Sequence, residues 1–220
     1  MSGRSIHRAL YCAPLLGLFA LLAPLTACTK QQAVDRVQTA ALTHTTWESQ
    51  YDRIDPADLP DNVVDMISKQ WMVVTAGKPD SVNSMVINWG AIGYIWDHPA
   101  AFIFVRNSRY TYQFLEREGR FTLSVFPEQF RGAEHILGTK TGRASDKIRE
   151  SGLTLMQTPS GQMSYKEARL IIECKTMMVQ DLDYNKALGG YRDDIGAAYQ
   201  GNPSHHQMFI SEITNIWLKK

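Results

Sequence analysis

Residues 71–88 read WMVVTAGKPDSVNSMVIN, in which two apolar stretches flank the turn-forming sequence Gly77-Lys78-Pro79-Asp80. Residues 71–76 predict a buried strand, and residues 82–88 predict a second strand that follows the turn. A turn this short returns the chain beside itself in the antiparallel direction. The stretch therefore predicts a β-hairpin.

The rest of the chain continues this pattern. A break is expected at Asp97-His98-Pro99, and Phe121 and Leu123 alternate with polar residues as in a half-buried strand. Further strands are predicted at residues 101–105, 121–125, 169–179 and 207–218, and short helices at residues 63–68, 110–118, 128–137 and 145–151. Because helices and strands do not alternate regularly, the sequence predicts a mainly β fold with short helices, as a single antiparallel barrel with a Greek-key-like order.

Composition limits the class of protein. The chain has 220 residues, of which 44% are hydrophobic and 20% charged, with a formal net charge of +1. This length suits one ordinary domain with appendages. The moderate composition and near-zero charge exclude a disordered chain, a fibre and a nucleic-acid binder that acts through charge alone.

The N-terminus resembles an export signal. Arg4 and Arg8 precede an uncharged, leucine-rich stretch that ends in Leu25-Thr26-Ala27-Cys28, which is similar to the lipobox of bacterial lipoproteins. This similarity implies a signal peptide over residues 1–27 and a lipidated Cys28 that holds the protein at a bacterial membrane, facing the periplasm or the exterior. The alternatives are an ordinary signal peptide and an uncleaved anchor, since the apolar stretch is close to the length of a membrane span.

Residues 28–62 are polar and contain Asp55-Pro56 and Leu59-Pro60, which interrupt regular structure. They are interpreted as a tether and an N-terminal preamble, with the folded domain at residues 63–220.

The cysteines and short motifs exclude several kinds of site. Cys12 lies in the signal peptide and Cys28 is the lipidation site, so Cys174 is left without a partner for an internal disulfide. No C-x-x-C or histidine-rich ligand set is present, so no metal site is predicted. The sequence also has no dinucleotide-binding G-x-G-x-x-G after a strand, no P-loop, and no G-x-S-x-G or H-E-x-x-H motif.

Three segments carry candidate binding residues. Residues 105–114 join a strand to a helix and place Arg106, Ser108, Arg109 and Thr111 within six positions. Free amides at a helix start and guanidinium groups both favour a phosphate, and the alternative is a solvated basic turn with a capping hydroxyl. Residues 83–90 are interpreted either as core and turn or as a wall of a binding site, and the glycine-punctuated basic loop at residues 137–143 either as a site loop or as a surface turn.

Five motifs in series resemble the flavin reductase-like family, which includes flavoredoxins. They are residues 83–90, 106–112, 142–154, 167–174 and 206–213. The resemblance implies an FMN-binding split barrel that forms a homodimer, with FMN near the subunit interface.

Carried onto this sequence, the resemblance assigns cofactor-binding residues. Those expected to line the isoalloxazine and ribityl groups are Asn83, Ser84, Met85, Val86, Ile87 and Trp89; those expected to hold the phosphate are Arg106, Ser108, Arg109 and Thr111; and those expected to close over it are Lys140, Thr141 and Arg143. His206 matches a family histidine near the flavin, and its alternative interpretation is a packed or surface residue. The chain departs from the family pattern at Asn88 and Ser211, which concerns redox tuning more than binding. No side chain is predicted to be catalytic, because the flavin carries the electron chemistry.

The resemblance implies an FMN-dependent flavin reductase-type oxidoreductase that takes electrons from NAD(P)H or from a redox partner. An exported domain meets little NAD(P)H. Two other functions therefore stay open: a lipid-anchored, flavodoxin-like electron carrier that does not use nicotinamide, and a barrel without flavin that serves as a ligand-binding lipoprotein.

Overall fold

The computed structural model of the chain describes residues 47–199 and 205–220. The predicted signal peptide (residues 1–27), Cys28 and the first part of the predicted tether lie outside these residues. Within the described ranges, no helix combines the length and the apolar character needed to span a membrane.

The described residues contain ten strands. They are β1 (Tyr51–Ile54), β2 (Met72–Lys78), β3 (Ser81–Ile87), β4 (Gly90–Ile95), β5 (His98–Arg106), β6 (Arg120–Val125), β7 (Leu155–Gln157), β8 (Met163–Tyr165), β9 (Leu170–Asp181) and β10 (His206–Lys219). The α-helices are α1 (Val63–Asp65), α2 (Tyr110–Glu118), α3 (Arg131–Thr139), α4 (Lys147–Ser151) and α5 (Tyr191–Tyr199). α1 continues as a π-helix (Met66–Gln70), and 3-10 turns lie at Pro56–Asp58, Glu128–Phe130 and Tyr184–Lys186.

Eight strands make one sheet in the order β3-β2-β6-β9-β10-β5-β4, with β1 paired to β10, while β7 and β8 form a separate hairpin. Every strand pair in the described residues is antiparallel. The predictions of a mainly β, antiparallel fold and of the β2–β3 hairpin are confirmed, because Met72 pairs with Ile87 and Lys78 with Ser81.

The alternation along β2 separates two hydrophobic clusters. Met72, Val74 and Ala76 join one cluster with residues of β5, β6, β9 and β10, whereas Val73 joins a second with Phe126 and residues that include Leu137 and Tyr165. Successive side chains of a strand point to opposite faces of the sheet. Both faces of β2 are therefore buried.

The region around β4 differs from the prediction. The break expected at residues 97–99 is confined to Trp96 and Asp97, which have φ angles of 49° and 60°, and β5 already begins at His98. Pro99 is accommodated at the end of β5, where it pairs with Tyr94 of β4 and lies beyond the pairing with β10. The strand β4 itself was not predicted, because its glycines and its exposed residues give no alternating pattern.

The segment predicted as tether and preamble contributes to the sheet. Tyr51 of β1 pairs with Lys219 of β10, and its hydroxyl donates to the carbonyls of Lys166 and Ala168 at 3.1 Å each. The Trp47 ring stacks on Tyr51 with their centroids 4.5 Å apart. Regular structure thus begins well before the predicted boundary at residue 63, because these aromatic rings cover the second hydrophobic cluster.

Candidate functional site

The ends of three strands meet at a cavity of about 220 Å³. β3 ends beside Asn88 and Trp89, β5 ends at Arg106, and β10 begins at His206, which pairs directly with Arg106. The residues that line the cavity are Met85, Val86, Ile87, Asn88, Trp89, Phe104, Arg106, Arg109 and His206. The structure therefore brings seven of the predicted site residues together, from three separate segments of the sequence.

Two guanidinium groups give this cavity a positive charge. Arg106 donates through Nη2 to the carbonyl of Ala198 at 3.0 Å, and its Cζ lies 5.4 Å from the centre of the Tyr199 ring. Arg109 occupies the N-cap position of α2 and makes no capping hydrogen bond with its side chain. Among the described residues, no carboxylate forms an ion pair with either arginine. Both positive charges are consequently available to an anion.

His206 lies beside the positive charges of Arg106 and Arg109. Its side chain is buried, with Nδ1 2.8 Å from the hydroxyl of Tyr199 and its ring centroid 4.9 Å from that of Trp89. Burial, together with the positive charges of Arg106 and Arg109, lowers the pKa of His206 to about 4. The imidazole is therefore neutral at neutral pH.

Other predicted residues line a second, larger cavity of about 760 Å³. Asn83 reaches it from β3, and Arg143 reaches it from the loop before α4. The Arg143 guanidinium lies 4.8 Å from the centre of the Tyr110 ring and donates to the carbonyl of Ser108 at 3.3 Å. The loop at residues 140–146 is thereby attached to the start of α2, next to the arginines of the first cavity.

Five predicted residues line neither cavity: Ser84, Ser108, Thr111, Lys140 and Thr141. Ser108 is exposed in the turn between β5 and α2. Ser84 is fully buried on the opposite face of β3, where its hydroxyl is hydrogen-bonded to Thr75 and Tyr165. Thr111 is buried and accepts a hydrogen bond from Asn83. Residues 83–87 were predicted to line the flavin through backbone and side-chain contacts. The Ser84 side chain does not face the cavity, because neighbouring side chains of a strand point to opposite faces.

The other two lie in the loop after α3. Lys140 forms an ion pair with Glu150, and Thr141 accepts a hydrogen bond from the backbone N–H of Arg143. Both side chains serve to shape the loop in the structure.

Three residues that shape the site were not predicted from the sequence. Phe104 lines the smaller cavity from β5, and Tyr199 covers His206 from α5, a helix that was not predicted. Lys147 is buried, lines the larger cavity and donates to the carbonyls of Leu137 and Lys140 at 2.8 and 3.0 Å. Alternation along β5 was a usable signal for Phe104, whereas nothing in the sequence indicated that the end of α5 contacts Arg106 and His206.

These features fit a ligand that has an anionic group and a flat, partly apolar body. The arginines supply charged donors for the anion, while Trp89, Met85 and Ile87 supply an aromatic and aliphatic wall. The buried Nδ1 of His206 is engaged with Tyr199, and the neutral imidazole is not a strong base. The site is therefore better suited to binding a cofactor than to acid–base or nucleophilic catalysis by side chains.

Comparison with known proteins agrees with this geometry. The family model described as the flavin reductase like domain matches residues 65–220. No curated protein matches the chain significantly.

Several solved structures share the fold. An FMN-binding domain of a flavin reductase-like enzyme from Shewanella baltica has a TM-score of 0.54 at 14% identity, over 76% of this chain and 76% of that chain. The flavoredoxin of Desulfovibrio vulgaris has a TM-score of 0.52 at 20% identity, over 73% of this chain and 74% of that chain. An FMN-binding protein from Thermus thermophilus has a TM-score of 0.52 at 20% identity, over 67% and 69% of the two chains.

These likenesses confirm the split-barrel fold that the sequence motifs implied. Together with the family match over more than two thirds of the chain, they decide the classification: the chain belongs to the flavin reductase-like domain family.

Proposed function

We propose that the protein binds FMN at the cavity formed by the ends of β3, β5 and β10, and that it passes electrons from NAD(P)H or a redox partner through this flavin. The observation that carries the proposal is the pair of arginines, Arg106 and Arg109, which face an aromatic-walled cavity and have no carboxylate partner in the described part of the chain. A phosphate ester supplies the missing anion, and an isoalloxazine supplies the flat ring that the wall accommodates.

Each part of the site has a separate role in this proposal. Arg106 and Arg109 hold the phosphate through charged hydrogen bonds, while Trp89 and Met85 pack against the ring system and exclude water from it. When bound, flavin supplies the capacity to accept a hydride and to release electrons one or two at a time. The protein then contributes position and electrostatics, and no side chain has to form a bond with the substrate.

The positive potential also affects redox chemistry. A cation-rich site favours the negative charge that reduction places on a flavin, so the arginines stabilise the reduced state relative to the oxidised state. Because His206 is neutral at neutral pH, the positive charge of the cavity comes from Arg106 and Arg109.

Stopped-flow mixing of the FMN-loaded protein with NADH and with NADPH tests the electron donor. Fast bleaching of the flavin by either nucleotide supports a reductase. Flavin that neither nucleotide bleaches, but that dithionite reduces and a redox protein reoxidises, supports an electron carrier instead.

We also propose a location and an assembly for this protein. The lipobox-like sequence supports export and attachment to a membrane surface through a lipid on Cys28. A homodimer is supported by the edge strand β4, which pairs only with β5 in the described residues. Tyr94 of β4 and Trp96 of the following turn are 68% and 54% exposed. Light scattering of the purified protein is expected to give twice the mass of one chain, and Trp96→Glu is expected to lower it to a single chain; a monomeric wild type contradicts the dimer.

A further inference from the structure

Tyr199, the last residue of α5, has a buried hydroxyl with one described partner. The residue is only 6% exposed, and its oxygen lies 2.8 Å from Nδ1 of His206. Among the described residues, no other hydrogen bond of this hydroxyl is found. Because a buried hydroxyl that does not donate leaves its hydrogen unsatisfied, the phenol is expected to donate and the imidazole Nδ1 to accept.

The ring of Tyr199 is held from two sides. It stacks on Tyr184, with centroids 5.2 Å apart and planes 12° apart, and it meets the His206 ring edge-on at 5.4 Å. Arg106 lies over the same ring and donates to the carbonyl of the preceding residue, Ala198. The position of the hydroxyl is thus determined by contacts other than its own hydrogen bond.

The groups that face His206 keep the imidazole neutral. Arg106 comes from β5 and Arg109 from the start of α2, while the uncharged Trp89 and Tyr199 come from the β3–β4 connection and from α5. Burial and these two cations, which have no ion-paired carboxylate in the described part of the chain, disfavour the imidazolium and hold the pKa of His206 below its ordinary value. A neutral imidazole carries one proton, and an Nδ1 that accepts leaves that proton on Nε2.

We propose that Tyr199 is a positioning residue that fixes His206 as its Nε2–H tautomer, so that the imidazole presents a permanent N–H donor to the flavin bound in the cavity. This proposal rests on the proposed FMN site and adds to it a group that tunes the cofactor. Arg106 then has two roles. It holds the phosphate, and it packs on the ring of Tyr199, whose hydroxyl orients His206. An N–H donor beside the flavin strengthens as negative charge develops on reduction.

Tyr199→Phe is the sharpest variant, because phenylalanine keeps the stacking on Tyr184, the contact with His206 and the contact with Arg106 while it removes the hydroxyl. Tyr184→Phe is the matched control, since it removes the hydroxyl of the neighbouring stacked ring, which makes no hydrogen bond among the described contacts. The first measurement is the ¹⁵N NMR spectrum of the histidine side chains in the full-length protein without cofactor, with His206→Gln used to assign the signals.

In this spectrum, the wild type and Tyr184→Phe are expected to show His206 as the pure Nε2–H tautomer at pH 7, and Tyr199→Phe is expected to show a mixture of the two neutral tautomers. A wild type that carries its proton on Nδ1, or a Tyr199→Phe protein with an unchanged tautomer, overturns the proposal. Neither result depends on flavin, so this measurement separates failure of the positioning role from failure of the proposed function.

The second measurement is the flavin midpoint potential of the FMN-loaded protein by dye-coupled titration. Tyr199→Phe is expected to lower the potential, because the N–H donor is no longer fixed toward the reduced flavin, and Tyr184→Phe is expected to leave it unchanged. In a His206→Gln background, the Tyr199→Phe change is expected to have no further effect. An equal shift with and without the histidine contradicts a route through His206.

Discussion

The side-chain amide of Asn83 donates a hydrogen bond of 2.8 Å to Oγ1 of Thr111, and both side chains are buried. This bond attaches β3, which supplies a wall of the smaller cavity, to the first turn of α2, whose N-cap residue is Arg109. Gly142 lies against the same amide, so close that an added Cβ would be 2.3 Å from Asn83 Oδ1. Residues from three distant motifs thus determine the geometry of the site by contacting one another.

This close approach predicts that Gly142→Ala destabilises the protein. The new methyl group also meets Tyr110 Cδ1 at 2.9 Å, so Asn83 and Tyr110 must both move. We expect a loss of about 1–3 kcal/mol in the free energy of unfolding, typical of overpacking. Gly132→Ala in α3 is the control, because no atom lies within 4 Å of the added Cβ, and it is expected to stabilise by up to about 1 kcal/mol. Urea unfolding of both variants checks this, and a neutral Gly142→Ala contradicts the packing argument.

Removal of either cavity arginine is expected to weaken cofactor binding. Each charged hydrogen bond contributes about 1.5–3 kcal/mol, so Arg106→Ala and Arg109→Ala should raise the Kd for FMN by roughly 10- to 150-fold. Arg120→Ala is the matched control, since Arg120 is exposed and lines neither of the two cavities. Fluorescence titration with FMN measures the three affinities. If Arg120→Ala weakens binding as much as the cavity variants do, the phosphate assignment is wrong.

The buried carboxyl of Glu134 predicts that the free energy of unfolding falls as the pH rises. Its side chain is buried in α3, with Oε2 3.1 Å from Arg131 Nη1 and Oε1 without a hydrogen-bond partner among the described residues. Burial raises the pKa of Glu134 from 4.5 to about 7, against the opposing effect of Arg131. The folded protein therefore binds more protons than the unfolded chain between these values, so the stabilisation is complete below pH 4.5 and is lost as the pH rises through 7.

Glu134→Gln is expected to remove this dependence. Relative to the variant, the wild type should lose about 2–3 kcal/mol of unfolding free energy between pH 4.5 and pH 8. The exposed Glu128, which lies just before α3, provides the control Glu128→Gln with the pH profile of the wild type. Urea unfolding at several pH values gives the profiles, and parallel curves for the wild type and Glu134→Gln would exclude this carboxyl as the source.

The proposed lipid on Cys28 predicts that the protein is attached to a membrane in the bacterial cell. If Cys28 carries the lipid, the wild type sediments with membranes and incorporates labelled fatty acid, and Cys28→Ala does neither. A Cys28→Ala protein that still sediments with membranes supports the uncleaved anchor instead. Cell fractionation and labelling of both proteins distinguish the two.

The sequence predicted those parts of the fold that depend on local alternation. The hairpin of β2 and β3 follows from residues 71–88, and the arginines at the end of β5 from a strand that runs into a helix. β4 was missed because an exposed edge strand needs no apolar alternation. The contact between Tyr199 and His206 was missed because α5 has no strong apolar face and belongs to a connection whose path depends on tertiary packing.

The site was predicted better as a set of segments than as a set of side chains. Arg106, Arg109, Trp89 and His206 converge because antiparallel pairing places His206 directly opposite Arg106, 100 positions away in the sequence. Ser84 was expected in the same wall, but the pleat of β3 turns it toward Tyr165. A sequence motif marks a continuous stretch of residues as part of a site. In a strand, successive side chains of that stretch point to opposite faces of the sheet, so only some of them can face the site.

Whether the protein binds FMN is decided by the absorption spectrum of the purified full-length protein, recorded after incubation with excess FMN and removal of free cofactor by gel filtration. We expect a yellow protein that retains FMN in a stoichiometric amount, and a Tyr199→Phe protein that does so as well. A well-folded, colourless protein that retains no FMN would contradict this expectation.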